Sequence, residues 1–156
     1  MRLATSAALL LMFAASAPAQ VPSGSLATWP AEPRWRPAPP PFPPGALIAV
    51  LHGDPGAAVT FTVRLRLPDG YRLAPHTHPT DEHVTVIRGS FRVGTGTTVD
   101  ERRMTALGAG DFLTLRANEP HYAVADGVTV VQIHAVGPSA LRYVNGHDAA
   151  RTTASQ

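Results

Sequence analysis

The sequence predicts an all-β domain, a sandwich or barrel of many short strands. Three observations carry this. Apolar and polar residues alternate with period two, most cleanly where Phe61, Val63, Leu65 and Leu67 interleave with Thr60, Thr62, Arg64 and Arg66. Turn clusters such as Gly53-Asp54-Pro55-Gly56 and Pro68-Asp69-Gly70, with single glycines at 94, 96, 108, 110, 127 and 137, punctuate the runs. No stretch of eleven residues or more keeps a helical period, and nothing repeats internally.

Taken in order, the chain begins with a leader. Arg2 precedes an apolar run, Leu3 to Ala17, interrupted only by Thr5, Ser6 and Ser16. At about 15 residues it is short for a membrane span, which needs roughly 20. It ends in Ala17-Pro18-Ala19, a small-x-small pattern suited to signal peptidase, so residues 1–19 read as a secretory signal cut after Ala19. A periplasmic or secreted protein that does not span the membrane is expected. The mature chain has the length of one domain, enough to bury roughly two thirds of its unfolded surface.

Composition narrows the chemistry. Cysteine is absent, so neither disulfides nor thiolate metal sites are available. All 13 basic residues are arginine and 11 acids nearly balance them, with no basic stripe, so nucleic acid is not an expected partner. Residues 20–45 form an N-terminal arm. Between Pro30 and Pro44, eight of the fifteen residues are proline, a composition that favours an extended spacer without a core of its own. Its aromatics Trp29, Trp35 and Phe42 raise a second reading, an arm packed on the domain or on another subunit.

The barrel is expected over residues 46–145, with 146–156 as a tail. Ala46–Leu51 and Phe61–Leu67 are its first strands. Further runs follow at Val84–Ile87, Phe91–Val93, Asp111–Leu115, His121–Ala125 and Val128–Val136.

The chemistry gathers in GYRLAPHTHPTDEHVTVIRG, Gly70 to Gly89, which holds three of the seven histidines. In a strand, residues i and i+2 share a face, so His76 and His78 project side by side. Pro79-Thr80-Asp81 bends the chain, and Glu82 returns its carboxylate toward the same point. Val84 and Val86 share the face of Glu82; His83 sits on the other. Chance produces H-x-H-x3-E in a chain of this composition on the order of 0.01 times. A second candidate lies in GDFLTLRANEPHYAVA, where His121 follows the turn Asn118-Glu119-Pro120 and opens a strand.

These two stretches resemble the cupin family of small β-barrels. The first family motif, G-x5-H-x-H-x3-E-x6-G, is matched without a gap by Gly70, His76, His78, Glu82 and Gly89. The second, G-x5-P-x-G-x2-H-x3-N, is matched in part. Gly110 and His121 fit, while Arg116, Asn118 and Ala125 replace the usual proline, glycine and asparagine. Asn118 can adopt the positive φ that glycine would have supplied. The resemblance implies a jelly-roll barrel in which His76, His78, Glu82 and His121 hold one divalent transition metal. With three imidazoles and one carboxylate, Mn(II), Fe(II), Co(II) or Ni(II) suits such a site better than zinc, which tends to close at four ligands.

Gln132 and His134 share parity on Val128–Val136. Turned inward they would stand beside the metal, with His134 a proton carrier; turned outward they would be surface residues. Tyr122 is expected to point away from the ion. Two functions follow from the resemblance. One is a metalloenzyme of dioxygenase, isomerase or lyase type acting on a small oxygen-rich substrate. The other is a non-catalytic cupin that binds a small ligand or metal. Pairing into homodimers through sheet edges is also expected of the family.

Overall fold

The computed structural model describes residues 32–146. The leader, Trp29 and the tail from His147 onward lie outside them. Nine strands and one 3-10 turn make up the domain: β1 Arg36–Pro37, β2 Leu47–His52, β3 Thr60–Leu67, β4 Arg72–Thr77, β5 Glu82–Thr95, β6 Thr105–Leu107, β7 Phe112–Leu115, β8 His121–Val136 and β9 Arg142–Tyr143. The alternation in β3 has its expected result: Phe61, Val63, Leu65 and Leu67 are buried, and the threonines and arginines between them face outward.

The two long strands organise everything else. β5 and β8 pair antiparallel from Glu82↔Ala135 to Thr95↔His121. Past their shared midpoint the ribbon changes partners. Its Glu82/Val136 half lies between β7 on one side and β3, β2 and β1 on the other. Its Thr95/His121 half lies between β6 on one side and β4 and β9 on the other. The ribbon thus belongs to two sheets that close on each other, a jelly roll with the apolar core between them.

The sequence suggested breaks where these strands run through. Val84–Ile87 and Phe91–Val93 are one strand, as are His121–Ala125 and Val128–Val136. The register slips on either side of Arg88, and Gly89 and Gly127 there take φ of 84° and 71°. Bulges of this kind bend a ribbon without ending it. Gly89 is required twice over, because a Cβ there would also lie 2.7 Å from the Val128 carbonyl oxygen and 2.8 Å from Thr129 Cα. The buried Thr129 hydroxyl donates to Ser90 O at 2.9 Å and holds the bend closed.

The described part of the proline-rich arm is not a free spacer. β1 pairs with β2, and Ala38 N–H donates to Ala46 O at 2.9 Å. Phe42 packs on the core, and Trp35 is half-buried. Two tyrosine hydroxyls clamp the segment from the barrel side: Tyr71 to Pro43 O at 2.7 Å and Tyr143 to Pro41 O at 3.1 Å. Proline cannot donate to a ladder, but its carbonyl still accepts, so a proline-rich segment is well suited to lie along an edge.

Candidate metal centre

Local structure brings the two histidine stretches together. His76 is the penultimate residue of β4, His78 follows its end, Glu82 opens β5 and His121 opens β8. His76 and His121 are direct cross-strand partners. The turn before His121 is built around Asn118, which takes φ 59° where the family pattern has glycine. That turn is docked on the first motif: Asn118 N–H donates to His78 O at 2.8 Å, and Ala117 N–H to Asp81 Oδ1 at 2.7 Å.

The rings of His76, His78 and His121 form a compact triad, with centroid separations of 4.3, 4.9 and 5.2 Å. One ligand atom from each lies within 4.8 Å of the others. Each Nδ1 is pinned by a backbone carbonyl: His76 to Ala74 O at 2.7 Å, His78 to Ala140 O at 2.9 Å, His121 to Glu119 O at 2.9 Å. A carbonyl only accepts, so it fixes the proton on Nδ1 and leaves the Nε2 lone pair free, an arrangement that holds an imidazole oriented toward a metal ion. His121 Nε2 is buried and has no hydrogen-bond partner. A buried acceptor left without a donor is costly, and a cation would satisfy it. The donor set therefore fits a divalent ion.

Electrostatics keep the triad neutral. Burial, reinforced by the neighbouring imidazoles, pulls His76 down to about 3 and His78 to about 4, and burial lowers His121 as well. Burial alone pushes the Glu82 carboxyl up to about 8. Glu82 Oε1 lies 3.2 Å from His78 Nδ1, but with the imidazole depressed and the carboxyl raised this is a contact of two neutral groups, not an ion pair. Glu82 is thus buried at the edge of the triad, beside His78, and is not one of the three residues whose donor atoms cluster.

The triad and Glu82 look into a cavity of about 350 Å³. Val84 forms part of its lining, as the parity of Glu82 suggested, and Val86 is fully buried in the core nearby. The wall is otherwise mostly carbon, with Phe61, Leu65, Phe91 and Ile133 among its members. Arm residues Pro39 to Phe42 complete it. Away from the histidines the polar side chains of this lining are Arg36, Asp54 and Ser139, all exposed.

Gln132 and His134 do not reach the cavity. They share a face, but it is the outer one: Gln132 accepts from Arg64 Nε at 3.1 Å, and exposed His134 bonds the Thr62 hydroxyl at 2.9 Å. Val131, Ile133 and Ala135 take the inward positions, since the more apolar set of an alternating strand faces the core. His83 also faces out, as expected, against Thr114. Tyr122 turns from the triad and packs against Gly94, where a Cβ would lie 2.4 Å from its ring. Sequence reasoning missed three supports: Asp81, the Ala140 carbonyl and Tyr143, which stands opposite His76 with ring centroids 6.1 Å apart. Only Asp81 carried a signal, an acid between two motif residues.

Residues 63–137 match the family model of the cupin domain. No curated protein matches the chain. Among solved structures, a cupin 2 domain-containing protein from Halorhodospira halophila is similar at 20% identity and TM-score 0.55, over 70% of this chain and 77% of that one. The polyketide cyclase RemF from Streptomyces resistomycificus follows at 20% identity and TM-score 0.53, over 64% and 71%. A salicylate 1,2-dioxygenase from Pseudoaminobacter salicylatoxidans, a G106A mutant in complex with gentisate, is similar at 15% identity and TM-score 0.53, over 65% of this chain and 30% of that one. At these identities the likeness is one of fold. With both histidine stretches in place and the two-sheet barrel around them, residues 63–137 form a cupin domain.

Proposed function

We propose that the protein is a metal-dependent cupin enzyme of oxygenase type, with His76, His78, His121 and Glu82 holding one divalent transition metal at the wall of the barrel cavity. One observation carries the proposal: three imidazoles, each fixed by a backbone carbonyl at Nδ1, meet inside an apolar cavity with His121 Nε2 unpartnered. Glu82 supplies the anionic ligand once its proton leaves, which a nearby dication favours. When bound, the metal would supply open coordination positions for Lewis-acid or redox chemistry.

The chain's own residues bind, orient and exclude water. The carbon-lined wall keeps the reacting centre dry, and the pinned imidazoles hold it rigid. Apart from the candidate ligands, the titratable cavity-lining residues among those described are Arg36 and Asp54, both exposed. This favours a reaction that asks the protein for no general base, hence oxygenase over isomerase or lyase. The leader read in residues 1–19 belongs to the same proposal, in which the enzyme is exported to the periplasm or out of the cell.

Oxygen uptake by Fe(II)- or Mn(II)-reconstituted protein, over a panel of phenols, diketones and carboxylates, tests the reading. Turnover that vanishes in a folded His78→Ala variant supports it. Wild-type protein that binds panel members tightly but consumes neither oxygen nor ligand would leave the chain a non-catalytic binder.

A further inference from the structure

The cavity wall away from the histidines defines the ligand. Its sides are made by Val63, Leu65, Leu67, Leu73, Phe91 and Val131, which bring no hydrogen-bonding side chain. Its polar groups lie at the exposed outer end: Arg36, Ser139, and Asp54, whose Oδ1 already accepts from Gly56 N–H at 2.8 Å. A hydroxyl carried in among the six apolar side chains would leave water without finding a side-chain partner, at a loss of roughly five- to a hundredfold in affinity each. Apolar groups gain by the same transfer.

We propose that the ligand has one polar group, held at the histidine wall, on a compact hydrocarbon or aryl body that fills the remaining space, and that Phe42 of the docked arm limits its bulk. The first part rests on the metal reading above; the body's character rests on the wall alone. Pro39 to Pro41 and Phe42 belong to the lining only because β1 and the two tyrosine clamps hold the arm in place. The arm thus selects ligand size as well as covering core.

Calorimetric titration of the full mature protein with straight-chain carboxylates of four to ten carbons, and with gluconate, tests this. Runs in chelator and after Mn(II) reloading separate the two readings. Affinity is expected to rise about fourfold per methylene until the cavity is full, with gluconate at least about a hundredfold weaker than hexanoate. Phe42→Ala should move the limit to longer chains; Phe42→Leu should move it the same way by less if the alanine variant does not fold. Mn(II) should tighten the whole series by a common factor. A series flat with chain length, or gluconate binding as well as hexanoate, would overturn the ligand class. A limit unmoved in folded Phe42 variants would overturn the arm's part. A rising series indifferent to Mn(II) would keep the ligand class and refute the metal reading.

Discussion

Glu82→Gln should make the metal-free protein progressively more stable than wild type as pH rises. The Glu82 carboxyl is buried and pushed up to about 8 from an ordinary 4.5. The folded state therefore holds a proton that the unfolded chain releases above pH 4.5, and wild type loses stability as pH climbs from there through 8. Glutamine has no proton to release and escapes that loss. Each unit of displacement is worth about 1.4 kcal/mol, so the gap between the variants should widen by about 3 kcal/mol between pH 5.5 and pH 8. The depressed histidines act the other way below pH 6.5, but they are present in both proteins and cancel in the difference. Urea denaturation of both proteins in chelator across that range measures it. A gap independent of pH, or one in which wild type gains on the variant as pH rises, would refute the argument. Adding metal should reverse the order, because glutamine cannot replace an anionic ligand.

Three further outcomes are expected, two from the geometry and one from the leader. Gly89→Ala should cost more than about 2 kcal/mol, since it adds a clash with the β8 backbone to a left-handed residue. Gly110→Ala, at φ 93° with open space around it, should cost about 1–2 kcal/mol; thermal melts compare the two. Tyr71→Phe and Tyr143→Phe should each remove about 1 kcal/mol and speed limited proteolysis within residues 36–45, leaving the barrel protected. Protein recovered from the medium or periplasm of an expressing bacterium should begin at Gln20 by N-terminal sequencing, and an intact N-terminus there would contradict the leader reading.

Much of the barrel was legible because burial and alternation are the same fact seen twice. Phe61 to Leu67 needed no other information. The strand breaks were misjudged because a glycine in a bulge and a glycine in a turn look alike in sequence; only pairing partners tell Gly89 and Gly127 apart from true ends. Parity placed Gln132 and His134 together but does not say which face is inner. The apolar set Val131, Ile133 and Ala135 held that answer. His76 and His78 were legible through spacing, and His121 through the resemblance of its stretch to the second cupin motif. The arm's docking was not, since proline-rich composition predicts an extended chain and is silent on what its carbonyls meet, here Tyr71 and Tyr143. Backbone anchors such as Ala140 O leave no trace in residue identity at all.

The central claim is that three imidazoles and a carboxylate surround one cation. Metal content per chain, by elemental analysis of folded protein after reconstitution and desalting, tests it most directly when wild type is compared with His121→Ala and His76→Ala. One divalent ion per wild-type chain and a large loss in both folded variants is the predicted result. Folded wild-type protein that retains no ion, or variants that retain it in full, would contradict the account.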